Sequence, residues 1–449
     1  MTLWGGRFSE GPDPGAWGFM TSQADRRLLE ADVEGSVAHV AALGSAGILD
    51  AAEVATITAG LELIAAEAAA GTFPWSDGDE DVHSGVERRL GELIGPVAGK
   101  LHTGRSRNDQ IALDLRLYLR RAARDRIADL AGLIGVLARR AEDAGATVVP
   151  FYTHMQQAQA VPLAHHLLAH AWALLRDADR FVSSLARIEV SPLGAGAGGG
   201  SRLPLEPAVA ARLLGLPAVF ENSLDAVASR DAVTEYLFCC TQALVDLSRL
   251  AEEMTLWATT EFGWVTFADR HTTGSSALPH KKNPDPAELT RGKAGSAIGH
   301  LTGVLAVVKG LPLAYDRDLQ QDKEHLFVVD DDLAGALRVL AAMLDAARFH
   351  PPAPGPWVGA LDLAEVLVER GVAFREAHQV VGEMVASHPS GITEADLRAA
   401  HPAFAPEDVL VLDPASSVAE RRSPGGGSFA SVEMQLGLLA DRLETLRST

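Results

Sequence analysis

Cysteine and aromatic residues are scarce in this chain of 449 residues. Its two cysteines, Cys239 and Cys240, are adjacent, so they provide neither a disulfide framework nor a metal-ligand spacing. We expect both to lie in a helix, in a reducing compartment. Aromatic residues make up 6% of the chain, while hydrophobic residues, mostly Ala, Leu and Val, make up 47%. That composition favours helix packing over a β-rich core.

The chain also lacks an excess of positive charge and long apolar runs. Its net charge of −20 argues against nucleic acid or an anionic membrane surface as a partner. No apolar run approaches the about 20 residues that span a bilayer, and the first residues do not resemble a signal peptide. We therefore expect a soluble, cytoplasmic protein, in which an anionic small molecule would need a local basic pocket.

Long apolar seams occupy the middle of the chain. Aliphatic and small residues recur at alternating steps of three and four over 130–141, 161–185, 233–258 and 333–347. This spacing predicts a bundle of four or five helices of roughly 25–35 residues each. Because helices of this length seldom bury themselves within one subunit, we expect an oligomer built around the bundle.

Two irregular stretches divide the chain into three predicted helical domains. The polar run Leu101–Gln110 directly precedes a long helix, and the proline-rich segment His350–Pro356 is a rigid boundary. The fold class is therefore expected to be all-α. We expect an N-terminal helical domain, a central bundle with the oligomer contacts and active site, and a small C-terminal helical domain, at 1–106, 107–355 and 356–449.

A polar loop precedes one of the bundle helices. The stretch His271–Glu288, HTTGSSALPHKKNPDPAE, has no apolar periodicity and is predicted to be a loop. Asp285 is the predicted helix cap, Pro286 the first helical residue, and Glu288 the partner in a capping box. Free backbone N–H groups, the helix dipole and two lysines favour an anion here. A charged surface turn is the alternative interpretation.

Two patterns are typical of cofactor sites but lack their context. The glycine-rich segment 194–200 contains the spacing of a dinucleotide fingerprint, yet it follows a predicted helix rather than a strand. A closely packed glycine loop is the better interpretation. His165, His166 and His170 share a helix but lack the intervening glutamate of a metalloprotease motif. We therefore expect packing or solvent-facing histidines, and no metal site or cofactor.

Three polar clusters offer groups for chemistry on a carboxylate ligand. His154 lies in a run of hydrogen-bonding side chains at the start of a bundle helix, which makes it a candidate general acid or base. The clusters 105–109 and Tyr315–Glu324, the latter with Lys323, offer forked arginine donors, amides and a lysine for a polycarboxylate. Solvated helix ends are the alternative interpretation of these two clusters.

Together these segments resemble a known enzyme family. Gly274–Pro284, GSSALPHKKNP, is similar to the signature loop of the fumarase/aspartase superfamily, whose members catalyse anti β-elimination and release fumarate. A more specific likeness, to the argininosuccinate lyases, extends in order over most of the chain. The segments that carry it are LWGGRF, DEDVH, LHTGRSRNDQ, YTHMQQAQ, NSLDAVASRD, YDRDLQQDKE and GVAFREAH.

The resemblance implies a fumarase/aspartase-like homotetramer with active sites shared between subunits. It implies the reversible cleavage of argininosuccinate to arginine and fumarate, in arginine biosynthesis, without cofactor or metal. The implied catalytic residues are His154, Ser275, Lys281 and Glu288, with Glu288 orienting His154. The residues implied in substrate binding are Ser22, His83, Ser106, Arg107, Asn108, Thr153, Arg230, Asn283, Tyr315, Gln320 and Lys323.

The chemistry of elimination is consistent with these roles. The reaction takes a proton from a carbon beside a carboxylate, so a base and an acid are both required. We favour Ser275 as base and His154 as acid, and the reverse assignment stays open. Two alternatives for function also stay open: another fumarate-releasing lyase (adenylosuccinate lyase, aspartase or fumarase), and a non-catalytic structural protein on the same scaffold.

Overall fold

Residues 13–21 and 23–448 are described by the structure, a computed structural model. Helices dominate it. The α-helices are α1 Pro14–Met20, α2 Leu29–Ser45, α3 Ala51–Ala69, α4 Val82–Ile94, α5 Arg107–Ala144, α6 Leu163–Ile188, α7 Pro207–Leu213, α8 Ser223–Ala228, α9 Asp231–Trp257, α10 Asp285–Val308, α11 Asp322–Asp345, α12 Ala360–Glu369, α13 Phe374–Ser387, α14 Glu394–Ala400, α15 Pro414–Ala419 and α16 Phe429–Arg447. Short 3₁₀ helices cover Ala24–Leu28, Gly95–Lys100, Asp269–His271, Arg317–Gln321 and Pro406–Leu412.

Strands are few and short. They are β1 Val148–Thr153, β2 Gln156–Pro162, β3 Val190–Ser191, β4 Ala218–Val219, β5 Val265–Thr266, β6 Thr273–Gly274, β7 Lys282–Asn283 and β8 Arg348–Phe349. The pairs β1–β2, β5–β8 and β6–β7 are antiparallel, and β3–β4 is parallel. No sheet in the described part of the chain has more than two strands. The predicted all-α class is therefore confirmed.

The described residues form five long helices, and four of them, α5, α6, α9 and α11, carry the apolar seams. Helices α5, α6 and α9 contain 38, 26 and 27 residues, and α10 and α11 contain 24 each. Seam residues such as Leu130, Leu168, Leu244 and Leu337 are fully or almost fully buried. The predicted bundle of long helices is thus confirmed, with a wider range of lengths than expected. None of the helices formed by the described residues is long and apolar enough to cross a membrane.

The chain divides into two compact units, and each unit combines three separate segments. Unit 1 comprises Met1–Arg126, Asp179–Gln242 and Gly295–Leu333, and unit 2 comprises Ile127–Ala178, Ala243–Ala294 and Ala334–Thr449. The long helices contribute residues to both units. Each unit is thus assembled from segments that are distant in the sequence, whereas the three predicted domains are continuous stretches of the chain. The three domains therefore stay a prediction.

Unit 1 contains a buried carboxylate on which three long helices meet. Asp330 of α11 accepts hydrogen bonds from the hydroxyls of Tyr118 on α5 and Tyr236 on α9, both at 2.6 Å. Arg126 Nη1 donates to the same carboxylate at 2.8 Å. Arg27 Nη2 also lies 3.4 Å from the second oxygen of Asp330. Because both oxygens of Asp330 are hydrogen-bonded and each is paired with a cation, the cost of burying the charge is offset.

Unit 2 contains the C-terminal helices. Helices α12, α13 and α14 enclose a core of their own, whose fully buried members are Leu363, Leu367, Ala377 and Leu397. In the same unit, Arg291 of α10 forms an ion pair with Glu252 of α9. Exposed pairs of this kind contribute little to stability, so apolar burial carries most of the packing energy.

Candidate functional site

His154 lies at the tip of a β-hairpin, and the prediction that it lies at the start of a bundle helix is wrong. Strands β1 and β2 pair Thr153 with Gln156, and α6 begins only at Leu163. His154 and Met155 have φ angles of 52° and 59°, as a two-residue hairpin turn requires. The sequence does not signal this turn, because neither position holds the Asn or Gly that usually accepts positive φ.

The side chains at this tip are accessible. Thr153 and His154 are exposed, and His154 forms no hydrogen bond with any described residue. Neither ring nitrogen of its imidazole therefore has a partner among residues 13–21 and 23–448. A general acid or base needs this access to its substrate.

The signature loop forms as predicted and is closed at its base by two short strands. Strands β6 and β7 pair Gly274 with Lys282. Between them, Ser275 Oγ accepts hydrogen bonds from the backbone N–H groups of Ala277 at 3.2 Å and Leu278 at 3.0 Å. Ser275 is half-buried, whereas Lys281 is exposed. Two N–H donors on Oγ stabilise negative charge at this atom.

The helix after this loop begins differently from the predicted capping box. The carbonyl of Pro284 accepts from the N–H groups of Ala287 at 2.9 Å and Glu288 at 3.2 Å, so Asp285 is the first helical residue and not the cap. The Asp285 carboxylate accepts instead from the hydroxyl of Thr273. The capping box is therefore wrong.

Glu288 is accordingly free of a structural role at the helix start. Its side chain is exposed and has no hydrogen-bond partner within the described residues. Asn283, on β7, is half-buried at the base of the loop. Unit 2 thus contains Thr153, His154, Ser275, Lys281, Asn283 and Glu288. The role of Glu288 in orienting His154 stays a prediction.

Arg107, the first residue of α5 in unit 1, is held by two acidic residues. Its Nη1 donates to Glu80 at 2.9 Å and to Asp81 at 2.8 Å. Arg317 Nη2 donates to the other oxygen of Glu80 at 2.7 Å. Burial opposes the charge of Arg107, but Asp81 and Glu80 outweigh burial and raise the pKa of Arg107. These contacts bring the segments around 80, 107 and 317 together.

The glycine-rich segment is closely packed, as predicted, and the structure identifies its partner as the start of the same helix. Asp109 Oδ2 accepts from the N–H groups of Gly194 at 3.0 Å and Gly196 at 2.8 Å, while its Oδ1 accepts from the N–H of Ser106 at 2.9 Å. Ser106 Oγ in turn accepts from the N–H of Asn108 at 3.2 Å. Asp109 therefore fixes the backbone around Ser106 and Asn108, a role the sequence did not indicate.

A buried cluster in unit 1 joins two cations to a single carboxylate. Arg230 Nε donates to Asp322 at 2.7 Å, and Lys323 Nζ donates to its other oxygen at 2.8 Å. All three side chains are buried, and Arg230 Nη2 has no hydrogen-bond partner among the described residues. The cluster carries one surplus positive charge, which an anionic ligand would neutralise. Sequence reasoning missed Asp322, although it directly precedes Lys323.

Two further residues of the prediction, Tyr315 and Gln320, also belong to unit 1. Tyr315 is half-buried, and burial raises the pKa of its hydroxyl. The charge of Arg230 lowers this pKa and the charge of Asp322 raises it, which is consistent with a position close to both groups. Gln320 Nε2 donates to the carbonyl of Met20 at 3.3 Å. Ser22 and the segment LWGGRF, which also entered the prediction, lie outside the described residues.

His83 is buried in unit 1 and pairs with a carboxylate. Its Nδ1 lies 2.5 Å from Asp32 Oδ2, which also accepts from Gln110 Nε2 at 2.6 Å. Asp114 Oδ2 lies 3.7 Å from the same His83 nitrogen. Burial alone would lower the pKa of His83, but Asp32 outweighs burial and raises this pKa to about 9. His83 is therefore a buried cation, and its contact with substrate stays a prediction.

Comparison with known proteins identifies the family. A lyase family model matches residues 6–299, and a model of the argininosuccinate lyase C-terminal region matches residues 357–419. Argininosuccinate lyase from Roseiflexus sp. (strain RS-1) is 48% identical over 97% of this chain and 98% of its own length. The chain belongs to the argininosuccinate lyase family. Argininosuccinate lyase from Symbiobacterium thermophilum is 44% identical over 98% of both chains.

Solved structures show the same fold. A crystal structure of EDDS lyase in complex with formate superposes with a TM-score of 0.83 at 28% identity, over 98% of this chain and 92% of the other. A class II fumarase from Schistosoma mansoni superposes with a TM-score of 0.74 at 17% identity, over 89% and 93% of the two chains. The predicted family and its fumarase/aspartase-like fold are confirmed.

Proposed function

We propose that this protein catalyses the reversible anti β-elimination of argininosuccinate to L-arginine and fumarate, and so serves arginine biosynthesis. Relatives named argininosuccinate lyase, 42–48% identical over nearly the whole chain, support this proposal. The observation that carries it is the loop closed by β6 and β7. That loop places the Ser275 hydroxyl, the Lys281 ammonium and the Asn283 amide on one short element.

The loop supplies the base and the carboxylate-binding groups in this mechanism. Ser275 Oγ, deprotonated, takes the proton from the carbon next to a succinyl carboxylate. Negative charge then accumulates on that carboxylate, where Lys281 and Asn283 donate hydrogen bonds. Preorganised donors at such a position contribute roughly 3 kcal/mol each to the transition state. The N–H groups of Ala277 and Leu278 stabilise the negative charge on Oγ.

The acid completes the reaction. The carbon–nitrogen bond breaks, its electron pair moves to the guanidino nitrogen, and the nitrogen takes a proton from His154. Glu288 orients His154, and its exposed carboxylate has no hydrogen-bond partner in the described part of the chain that would compete with this role. Thr153, beside His154, contacts the substrate. The products are fumarate and arginine, with every proton accounted for and no cofactor required.

Groups of unit 1 hold the remainder of the substrate. We assign this role to the buried cations Arg230 and Lys323, which share one carboxylate, and to Arg107. A succinyl carboxylate would compete with Glu80 and Asp81 for the Arg107 guanidinium. The other substrate-binding residues are Ser22, His83, Ser106, Asn108, Tyr315 and Gln320.

We further propose a cytoplasmic homotetramer in which each active site combines residues from several subunits. Helix α10 supports the oligomer, since among its 24 residues only Ala287, Thr290, Ala294, Ala297 and Val304 are buried. The remainder includes uncovered apolar and small residues, among them Leu289, Leu305 and Gly299. Helices owe most of their stability to packing, so a neighbouring subunit is the expected cover.

The first experiment is to add argininosuccinate to the purified protein and follow fumarate by ultraviolet absorbance and arginine as co-product. Adenylosuccinate, aspartate and malate are assayed in parallel. Release of both products from argininosuccinate alone is the expected result. Fumarate release from another substrate would identify the protein as the corresponding lyase instead. No release from any substrate would favour the alternative of a non-catalytic structural protein on the same scaffold.

A further inference from the structure

Two histidines and a glutamate converge in unit 2, among the long helices. His166 and His170 are one turn apart on α6, and Glu253 lies on α9. The Nε2 atom of each histidine lies 2.7 Å from the same atom, Glu253 Oε2. One ligand atom from each of the three side chains lies within 4.8 Å of the other two. The group is therefore compact enough to surround one ion.

The cluster is sheltered but not closed. The side chains of His166, His170 and Glu253 are 19%, 14% and 35% exposed. The ring of Trp257 lies 5.0 Å from that of His166 and covers one side of it. Because about a third of the Glu253 side chain is exposed, an ion can reach its carboxylate from solvent.

We propose that His166, His170 and Glu253 form a binding site for a divalent transition-metal ion, with zinc as the best match. Two imidazole nitrogens and one carboxylate oxygen, with water as the fourth ligand, are a donor set that Zn²⁺ accepts in proteins. Histidines at i and i+4 present both nitrogens on one helical face. None of the three residues belongs to the proposed catalytic groups.

Modest rearrangement would complete the site. Ligand atoms around a tetrahedral zinc ion lie roughly 3.3 Å apart, compared with the 2.7 Å of the two hydrogen bonds. The side chains must therefore separate by about half an ångström, and each Nε2 must release its proton. The sequence-based expectation of packing histidines considered α6 alone. The third ligand comes from 83 residues further along the chain.

A hydrogen-bonded clamp between α6 and α9 is the competing explanation, and the variant His170→Gln distinguishes the two. The glutamine amide can still donate a hydrogen bond to Glu253 but is a poor zinc ligand. His165→Ala is the matched control, because His165 is on the same helix but interacts with Gln435 instead. Circular dichroism and size-exclusion chromatography of both variants verify the fold.

The test is calorimetric titration of the metal-free full-length protein with Zn²⁺, repeated with Co²⁺ while its visible absorption is followed. We expect one ion per chain, an intense tetrahedral cobalt band, and binding at least about tenfold weaker in His170→Gln and Glu253→Gln. His165→Ala should bind as the native protein does. Absence of zinc binding at tens of micromolar, or equal affinity in His170→Gln and His165→Ala, would overturn the proposal. Neither outcome depends on the lyase assay.

Discussion

Ser275 and Ser276 are adjacent in the signature loop, but they differ in surroundings. Only Ser275 is half-buried and accepts two backbone hydrogen bonds at its Oγ. If Ser275 is the base, Ser275→Ala should lower kcat with argininosuccinate by roughly 10²–10⁴-fold, the usual contribution of acid–base catalysis. Ser276→Ala is the matched control and should leave kcat within about twofold.

The measurement is steady-state fumarate release, with the oligomeric state of each variant verified by light scattering. Because Ser275 is not in a core, its loss should leave assembly intact. Near-normal turnover in Ser275→Ala would show that Ser275 is neither the base nor the acid, so the catalytic role assigned to this loop would be wrong.

The buried pair of His83 and Asp32 predicts a pH dependence of stability. Folding raises the pKa of His83 to about 9, above the ordinary value of roughly 6.5. Such a group stabilises the fold fully below its unfolded pKa and loses this contribution as pH rises through its folded pKa. The free energy of unfolding should therefore fall by on the order of 3 kcal/mol between about pH 6.5 and 9.

Urea unfolding at pH 6, 7.5 and 9.5 measures this contribution. His83→Asn should be less stable at pH 6 and should lack most of the decline toward pH 9.5. The exposed His280→Asn is the control and should keep the native profile. For Asp32 the pH dependence has the opposite sign. Burial opposes ionisation of the Asp32 carboxyl, but His83 outweighs burial and lowers the pKa of Asp32. The stabilisation by Asp32 is therefore lost only at acid pH, below about 4. Parallel profiles of His83→Asn and the native protein would contradict the assignment.

At the scale of elements, Asp330 joins α5, α9 and α11 within unit 1. Replacing it by alanine removes the carboxylate that accepts hydrogen bonds from Arg126 and from the hydroxyls of Tyr118 and Tyr236. Removing one partner of a buried ion pair costs about 3–5 kcal/mol, so Asp330→Ala should lower the free energy of unfolding by that amount. Denaturant unfolding followed by circular dichroism measures it.

Asp331→Ala is the control for this experiment. The Asp331 side chain is 62% exposed and pairs with Arg27 at the surface, so its loss should cost no more than about 1 kcal/mol. Similar costs for the two variants would mean that the buried network contributes nothing beyond a surface ion pair.

The long and short elements differ in how far local sequence predicts them. The seams of α5, α6, α9 and α11 lie in the predicted segments. A periodic apolar face is a local feature of the sequence, so these helices can be predicted from the sequence alone. The hairpin at His154 depends on two residues with positive φ, and the start of α10 depends on the hydrogen bonds of the Pro284 carbonyl. Neither feature changes the apolar periodicity of the sequence, so neither could be predicted from it.

At the scale of the whole molecule, the uncovered face of α10 predicts an assembly. Leu305 is 50% exposed in the single chain. A charge placed in a buried helix interface is costly. Leu305→Glu should therefore dissociate the proposed tetramer and abolish fumarate release while each chain keeps its helical content. Light scattering and circular dichroism test this. Leu63→Glu, on α3, is the control at a leucine that is 55% exposed, and this variant should keep the assembly and activity of the native protein.

Shared active sites predict complementation between inactive variants. If Arg107, His154 and Ser275 reach one site from different subunits, mixed tetramers of any two single variants regain some sites with all native residues. Random assembly gives roughly a quarter of native sites for each pair. The measurement is fumarate release after co-refolding Arg107→Ala, His154→Ala and Ser275→Ala in pairs. No recovery in any pair would show that one subunit supplies all three residues.

By itself, the sequence determined the all-α class, the long helices, the family and the loop that carries Ser275, Lys281 and Asn283. These follow from periodicity and contiguous motifs, which are properties of neighbouring residues. Only the tertiary structure decided which distant residues meet: Asp322 between Arg230 and Lys323, Asp109 on the glycine loop, and Glu253 against two histidines of α6. Such pairings depend on how helices pack, and no local pattern in the chain encodes them.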